Sequence, residues 1–115
     1  MTDRILILAA GLCGIAGVAF SAAAAHGGAV NAGTAASFLL MHAPALLAVG
    51  LWNSSRTLRI GALVLLAGVI VFAGDLLTRD YAGTRLFPFA APTGGILMMA
   101  GWAGIGLSGI IRRKG

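Results

Sequence analysis

Charge is what this sequence has least of. Lys, Arg and Asp together make up 10% of 115 residues, and the only acids are Asp3, Asp75 and Asp80. A soluble domain carries about 25% charged residues, because it must keep a polar surface around its core. With 59% hydrophobic residues and a mean hydropathy of +0.98, this chain has no material for such a surface, which excludes a soluble enzyme. The 18 glycines do not make it disordered, since disorder requires low hydrophobicity. Cysteine occurs once, at Cys13, so there is no disulfide scaffold. The preceding Ala10-Gly11-Leu12 does not form a lipobox either. Also missing are a Gly-Lys-Ser/Thr phosphate loop, a Ser/His/Asp triad in sequence context, and a haem or quinone motif. What remains is a small integral membrane protein. Its net charge of +5 comes from bases that punctuate apolar runs, so it bears on topology and not on nucleic acid.

A membrane-crossing helix needs about 20 mostly apolar residues. Four runs meet that need, over about 5–25, 34–52, 60–77 and 91–111. The joints between them are rich in Gly, Asn, Ser, Arg or Pro and too short for a soluble domain. The expected architecture is all-α: one transmembrane domain over 1–115, an integral membrane four-helix bundle with short loops, running up-down-up-down. Four spans put both termini and the middle joint on one side. That side holds Arg4, Arg56, Arg59, Arg112, Arg113 and Lys114, and the other holds Arg79 and Arg85. Basic residues favour the cytoplasmic face, so both termini are expected to be cytoplasmic. Arg4, the first apolar run and Ser21 to Ala25 also have the outline of a secretory signal. The reading adopted is that the span is retained.

Ionisable groups inside spans are costly and therefore informative. The candidates are His26, His42 and Asp75. On the expected topology His26 ends the first span, His42 lies about 12 Å inside the second, and Asp75 is near the outer end of the third. Each has a structural reading. His26 before Gly27-Gly28 suits a helix C-terminus. His42 suits a core histidine, next to a Leu40 carbonyl that Pro44 leaves unbonded. Asp75 and Arg79, four apart, suit an ion pair. Read together, two imidazoles and a carboxylate match a Zn²⁺ or Cu²⁺ ligand set in kind, though no His-x-x-x-His spacing supports it. A proton relay or a polar pocket for a lipid head group fits the same residues.

The fourth span opens with Pro92, Thr93, Gly94 and Gly95. Proline suits the first position of a helix, and the amides behind it would favour an anion such as phosphate. Trp52, Tyr81, Phe87 and Phe89 fall near the span ends, as interfacial anchors do. Trp102 sits mid-span, where its indole N–H needs a partner. The many glycines within spans permit close helix packing.

As a set, four stretches are distinctive: Ala25-His26-Gly27, Met41-His42-Ala43, Phe72-Ala73-Gly74-Asp75-Leu76, and Ala91-Pro92-Thr93-Gly94-Gly95 with Gly101-Trp102. Through them the whole chain resembles the DUF423 family of small bacterial membrane proteins, related to the eukaryotic transmembrane protein 256 group. The resemblance implies four transmembrane helices in the bacterial plasma (inner) membrane and an uncleaved first helix. It implies no established biochemical activity. Many members carry a small hydroxyl residue where this chain has Asp75, which would mark a subgroup with a more acidic pocket.

With one Cys, two His and three Asp, few groups are available for catalysis. The leading expectation is a non-enzymatic protein that binds a lipid or small ligand in an outward-facing polar pocket. His42 and Asp75 would line it, His26 would sit at its mouth, and Pro92 to Gly95 would supply amide donors. Two alternatives are an accessory subunit of a larger membrane complex and a metal-handling protein using His26, His42 and Asp75. Membrane lipids are the expected partners, with a homo-oligomer or a larger complex as further options. No cofactor is indicated.

Overall fold

The computed structural model describes residues 2–111. The chain forms four helices: α1 over Arg4–Gly27, α2 over Val30–Leu51, α3 over Arg56–Tyr81 and α4 over Ala90–Ile110. All four are long and apolar enough to cross a membrane. They match the four apolar runs of the sequence and extend beyond them where polar residues cap an end. Ser55 starts α3 four residues early by accepting the Leu58 amide on its hydroxyl. At the far end of α3, helix continues to Tyr81 because Arg79 and Asp80 each find partners there.

Consecutive helices pack antiparallel. The close backbone approaches are α1 on α2, α2 on α3 and α3 on α4, while α1 and α4 have none. The expected up-down-up-down order holds, in an open row and not a closed ring. Leu6, Leu46, Leu65 and Val69 are fully buried along its centre.

The α3–α4 seam is the tightest, and glycine spacing explains it. Gly61 and Gly68 on α3, and Gly94 and Gly101 on α4, are each seven residues apart, which puts each pair on one helix face. A Cβ on Gly68 would lie 2.6 Å from the Met98 amide nitrogen, and one on Gly101 would lie 2.5 Å from that of Leu65. Backbones therefore touch where no side chain intervenes, the closeness that drives helix association in lipid. By contrast, a Cβ on Gly11, Gly14, Gly95, Gly106 or Gly109 would meet nothing within 4 Å.

Two of the three acids tie helix ends together. Asp3 caps α1 by accepting the Ile5 and Leu6 amides on Oδ1, and its Oδ2 accepts Arg59 Nε–H at 2.6 Å. Its own amide donates to the Gly50 carbonyl at 2.7 Å, so one residue joins α1, α2 and α3. At the other end the residue before α2, Ala29, provides no side-chain cap. Asp80 of α3 supplies it from outside, accepting the Ala32 amide at 2.6 Å and Asn31 Nδ2–H at 3.0 Å. A carboxylate at a helix N-terminus also meets the positive end of the dipole.

These ties fix which basic residues share an end: Arg4, Arg56 and Arg59 at the Asp3 end, Arg79 and Arg85 at the Asp80 end. Arg112, Arg113 and Lys114, the other half of the majority used for orientation, lie outside the described residues.

The Asp3 tie makes stability depend on acid. Burial would raise its carboxyl, but the Arg59 guanidinium and the amides of Leu6 and Ile5 outweigh that and hold it below the ordinary 3.8. A depressed carboxyl contributes stability that is complete above the unfolded value and is lost as pH falls through the folded one. Thermal unfolding of detergent-solubilised protein should therefore show the gap between wild type and Asp3→Asn closing below about pH 4. A gap that stays constant from pH 7 to pH 3 would contradict this.

Candidate functional site

The three ionisable residues singled out in the sequence have separate partners. His26 is exposed at the end of α1, where its Nδ1 donates to the Ala22 carbonyl at 2.8 Å. Gly28 follows in the left-handed region with φ 69°, and its amide bonds the Ala24 carbonyl. This is the expected helix C-terminus, since left-handed backbone suits glycine and the last carbonyls need donors.

His42 is 2% exposed. Its Nε2 accepts Trp102 Nε1–H at 3.1 Å, so Nδ1 carries the proton and donates to the Phe38 carbonyl at 2.7 Å. The core-histidine reading holds, but the carbonyl it satisfies is that of Phe38, not Leu40. A ring at position i reaches back to the carbonyl at i−4 on its own helix. The expected depth is also corrected. Because α2 starts at Val30, His42 stands twelve residues in, about 18 Å from that end and near mid-helix.

Asp75 is fully buried. Its Oδ1 accepts the Leu86 amide at 2.8 Å, fastening the α3–α4 joint onto α3. Its Oδ2 lies 2.7 Å from Arg79 Nη2 as the expected i,i+4 ion pair. That contact lacks hydrogen-bond alignment, and Oδ2 and Arg79 Nε have no hydrogen-bond partner among the described residues. Asp75 is about 9 Å from the end of α3, against about 18 Å for His42 in α2, so the two lie at different depths. The single His26–His42–Asp75 constellation is not assembled. No group of three or more His, Cys, Asp or Glu able to hold a metal ion occurs among the described residues.

The Pro92–Gly95 segment also differs from expectation. Phe89 takes a left-handed φ of 63°, the turn closes with Ala90 N–H donating to the Phe87 carbonyl, and α4 starts at Ala90. Pro92 is thus the third helical residue, and its missing N–H still costs nothing there. Thr93 already donates to the Phe89 carbonyl, and the Gly94 and Gly95 amides come after it in the helix ladder, so they are not free for an anion. Gly94 instead packs against Phe72 and Gly68.

What the structure does bring together is His42 of α2 with Trp102 of α4, beside an apolar groove of about 370 Å³. Phe38, Met41, Phe72, Gly95, Met98 and Met99 complete its wall. The Phe38 and Phe72 ring centroids are 4.6 Å apart. Both polar ring nitrogens of His42 are used within the protein, so the groove offers shape, methionine and aromatic surface. Sequence reasoning flagged His42 and noted that Trp102 needed a partner. It did not pair them, because 60 residues separate them and no periodicity links α2 to α4.

Comparison with known proteins points to a family of membrane proteins. The chain is 32% identical over 126 aligned positions to "UPF0382 inner membrane protein YgdD" of Escherichia coli K12, covering 99% of this chain and 95% of that protein. The protein of the same name in Shigella flexneri matches equally well. No solved structure matches significantly. The model of the family described as "Protein of unknown function (DUF423)" matches residues 19–95, a stretch that holds His26, His42, Asp75 and the α4 start. With four helices able to cross a membrane and these matches, the chain belongs to the DUF423 family of membrane proteins.

Proposed function

We propose that this is a non-enzymatic inner membrane protein that seats an apolar ligand, of acyl-chain chemistry, in the groove between α2 and α4. The observation that carries this is the roughly 370 Å³ groove itself, roofed by no helix and walled by flexible methionines and aromatic rings. Methionine adapts its shape to apolar partners, which suits a ligand of variable chain. His42 and Trp102 hold α2 and α4 at the spacing that keeps the groove open. The inner membrane location rests on the name of the E. coli relative. A cytoplasmic Asp3 end rests on Arg4, Arg56 and Arg59 there against Arg79 and Arg85 at the other. His26 and Asp75 are structural in this reading, and the ligand meets neither.

Gly95→Leu tests it. A Cβ at Gly95 meets nothing within 4 Å, so the larger side chain grows into the groove without disturbing the α3–α4 seam. Native mass spectrometry of gently extracted wild type should show a retained lipid or other apolar molecule. Gly95→Leu, with an unchanged helical spectrum, should lose most of it. Equal retention by both proteins would sink the proposal.

A further inference from the structure

A second cavity, of about 500 Å³, lies at the C-terminal end of α2, where the chain turns into α3. Its lining is Trp52, Asn53, Ser54, Ser55, Arg56, Arg59 and Ile60. The composition of that wall is one-sided. It contains two guanidinium groups, two hydroxyls and an amide, and no carboxylate. Arg59 gives only its Nε to Asp3, which leaves the two Nη groups of its planar fork. Arg56 is exposed and has no carboxylate partner among the described residues. Ser55 accepts the Leu58 amide on its oxygen, so its own O–H is still available to donate.

A cavity with two guanidinium groups and no carboxylate in its wall favours an anion. Forked guanidinium donors with hydroxyls beside them match the oxygens of a phosphate. The remaining walls give the ligand a second character. Trp52 is 73% exposed and Ile60 53%, so apolar surface borders the basic group at the end of a membrane-crossing helix. Tryptophan belongs at the level of lipid head groups. Basic pockets at that level, on the leaflet where anionic lipids concentrate, are suited to lipid phosphates.

We propose that the α2–α3 turn is a binding site for a phosphate oxyanion carried by an anionic phospholipid, with Arg56 and Arg59 gripping the phosphate and Trp52 and Ile60 lying against its glycerol and upper chains. This site is independent of the α2–α4 groove and stands or falls without it.

The test uses the full chain in nanodiscs of mixed phosphatidylglycerol and phosphatidylcholine, released for native mass spectrometry. Wild type should retain phosphatidylglycerol in preference to phosphatidylcholine, and Arg56→Gln should lower that preference about tenfold, the loss of one charge-assisted contact to the phosphate. Arg56 is used because Arg59→Gln would also break the Asp3 tie. Arg85→Gln, which removes the same charge at the other end, should leave the preference unchanged. An equal drop for Arg56→Gln and Arg85→Gln would mean bulk charge and would overturn the site, as would no preference in wild type. Millimolar inorganic phosphate provides the other arm. If it strips the bound lipid from wild type and binds with no need of a lipid tail, the site takes free phosphate and the lipid assignment is wrong. Continued lipid retention in its presence supports the proposal.

Discussion

Gly101→Ala is expected to separate α3 from α4. The added methyl would sit 2.5 Å from the Leu65 amide nitrogen and 2.6 Å from its Cα. Both are backbone atoms inside a helix, so no rotamer change can clear them and the helices must move apart. Overpacking of this kind costs about 3 kcal/mol. The loss would spread along the seam, because Gly68 and Gly94 depend on the same interaxial distance. Gly106→Ala is the matched control. It adds the same methyl to the same helix in open space, and its stability should stay within about 1 kcal/mol of wild type. Unfolding midpoints in mixed detergent micelles measure both. Equal midpoints for the two variants would show that backbone contact at Gly101 does not hold the pair.

Asp75→Ala should be the other large effect. It removes the acceptor of the Leu86 amide and leaves Arg79 without its counter-charge. Asp75 is fully buried, whereas the Arg79 side chain is 31% exposed and meets some water. Breaking a buried pair at one partner costs about 3–5 kcal/mol, and partial exposure of the arginine puts this case near the lower bound. The double variant Asp75→Ala, Arg79→Leu should recover part of the loss, since it leaves no stranded charge. A double-mutant cycle should return a coupling of at least about 1 kcal/mol. Additive single effects would assign Asp75 to the Leu86 bond alone.

Ligand retention follows a different pattern from stability. On the proposed reading, Asp75→Ala destabilises without changing what the α2–α4 groove retains per folded molecule, while Gly95→Leu does the reverse. The residue most conspicuous in the sequence, an acid within a span, is then a strut, and one of the least conspicuous, a glycine, faces the ligand.

The helices were legible because their signal is local. Each of the four runs is apolar over enough consecutive residues to cross a bilayer, and the breaks at Gly27-Gly28, Asn53 to Ser55 and Gly83 to Pro88 interrupt it chemically. The Asp75–Arg79 pair was legible for the same reason, as a four-residue spacing on one helix, and the His26 terminus from the Gly27-Gly28 that follows it. The row order of α1 to α4 also follows from short joints, which force each helix to lie beside the next.

The partners of Asp3, Asp80 and His42 were not legible. Asp3 meets Arg59, Asp80 caps α2 from α3, and His42 receives the Trp102 indole, across 56, 48 and 60 residues respectively. Each depends on the rotation and axial shift of one helix against another. Those are set by which glycines meet, and glycines at contacts, such as Gly61 and Gly101, look in the sequence like glycines that meet nothing, such as Gly11 and Gly106. Gly94 and Gly95 are neighbours in the chain, yet one lies under Phe72 and the other opens on the groove.

The scarcity of charge determined, by itself, that this is a membrane protein of four helices, because hydropathy and length act through the solvent and need no knowledge of packing. Only the tertiary structure decided what the few charged and polar groups do. In a low-dielectric interior each must find a partner, and a partner outside its own helix is fixed only when the helices pack. Asp3 and Asp80 become ties between helix ends, Asp75 braces a joint, and His42 and Trp102 satisfy each other. On the proposed readings, ligands meet the apolar groove and the basic turn at Arg56.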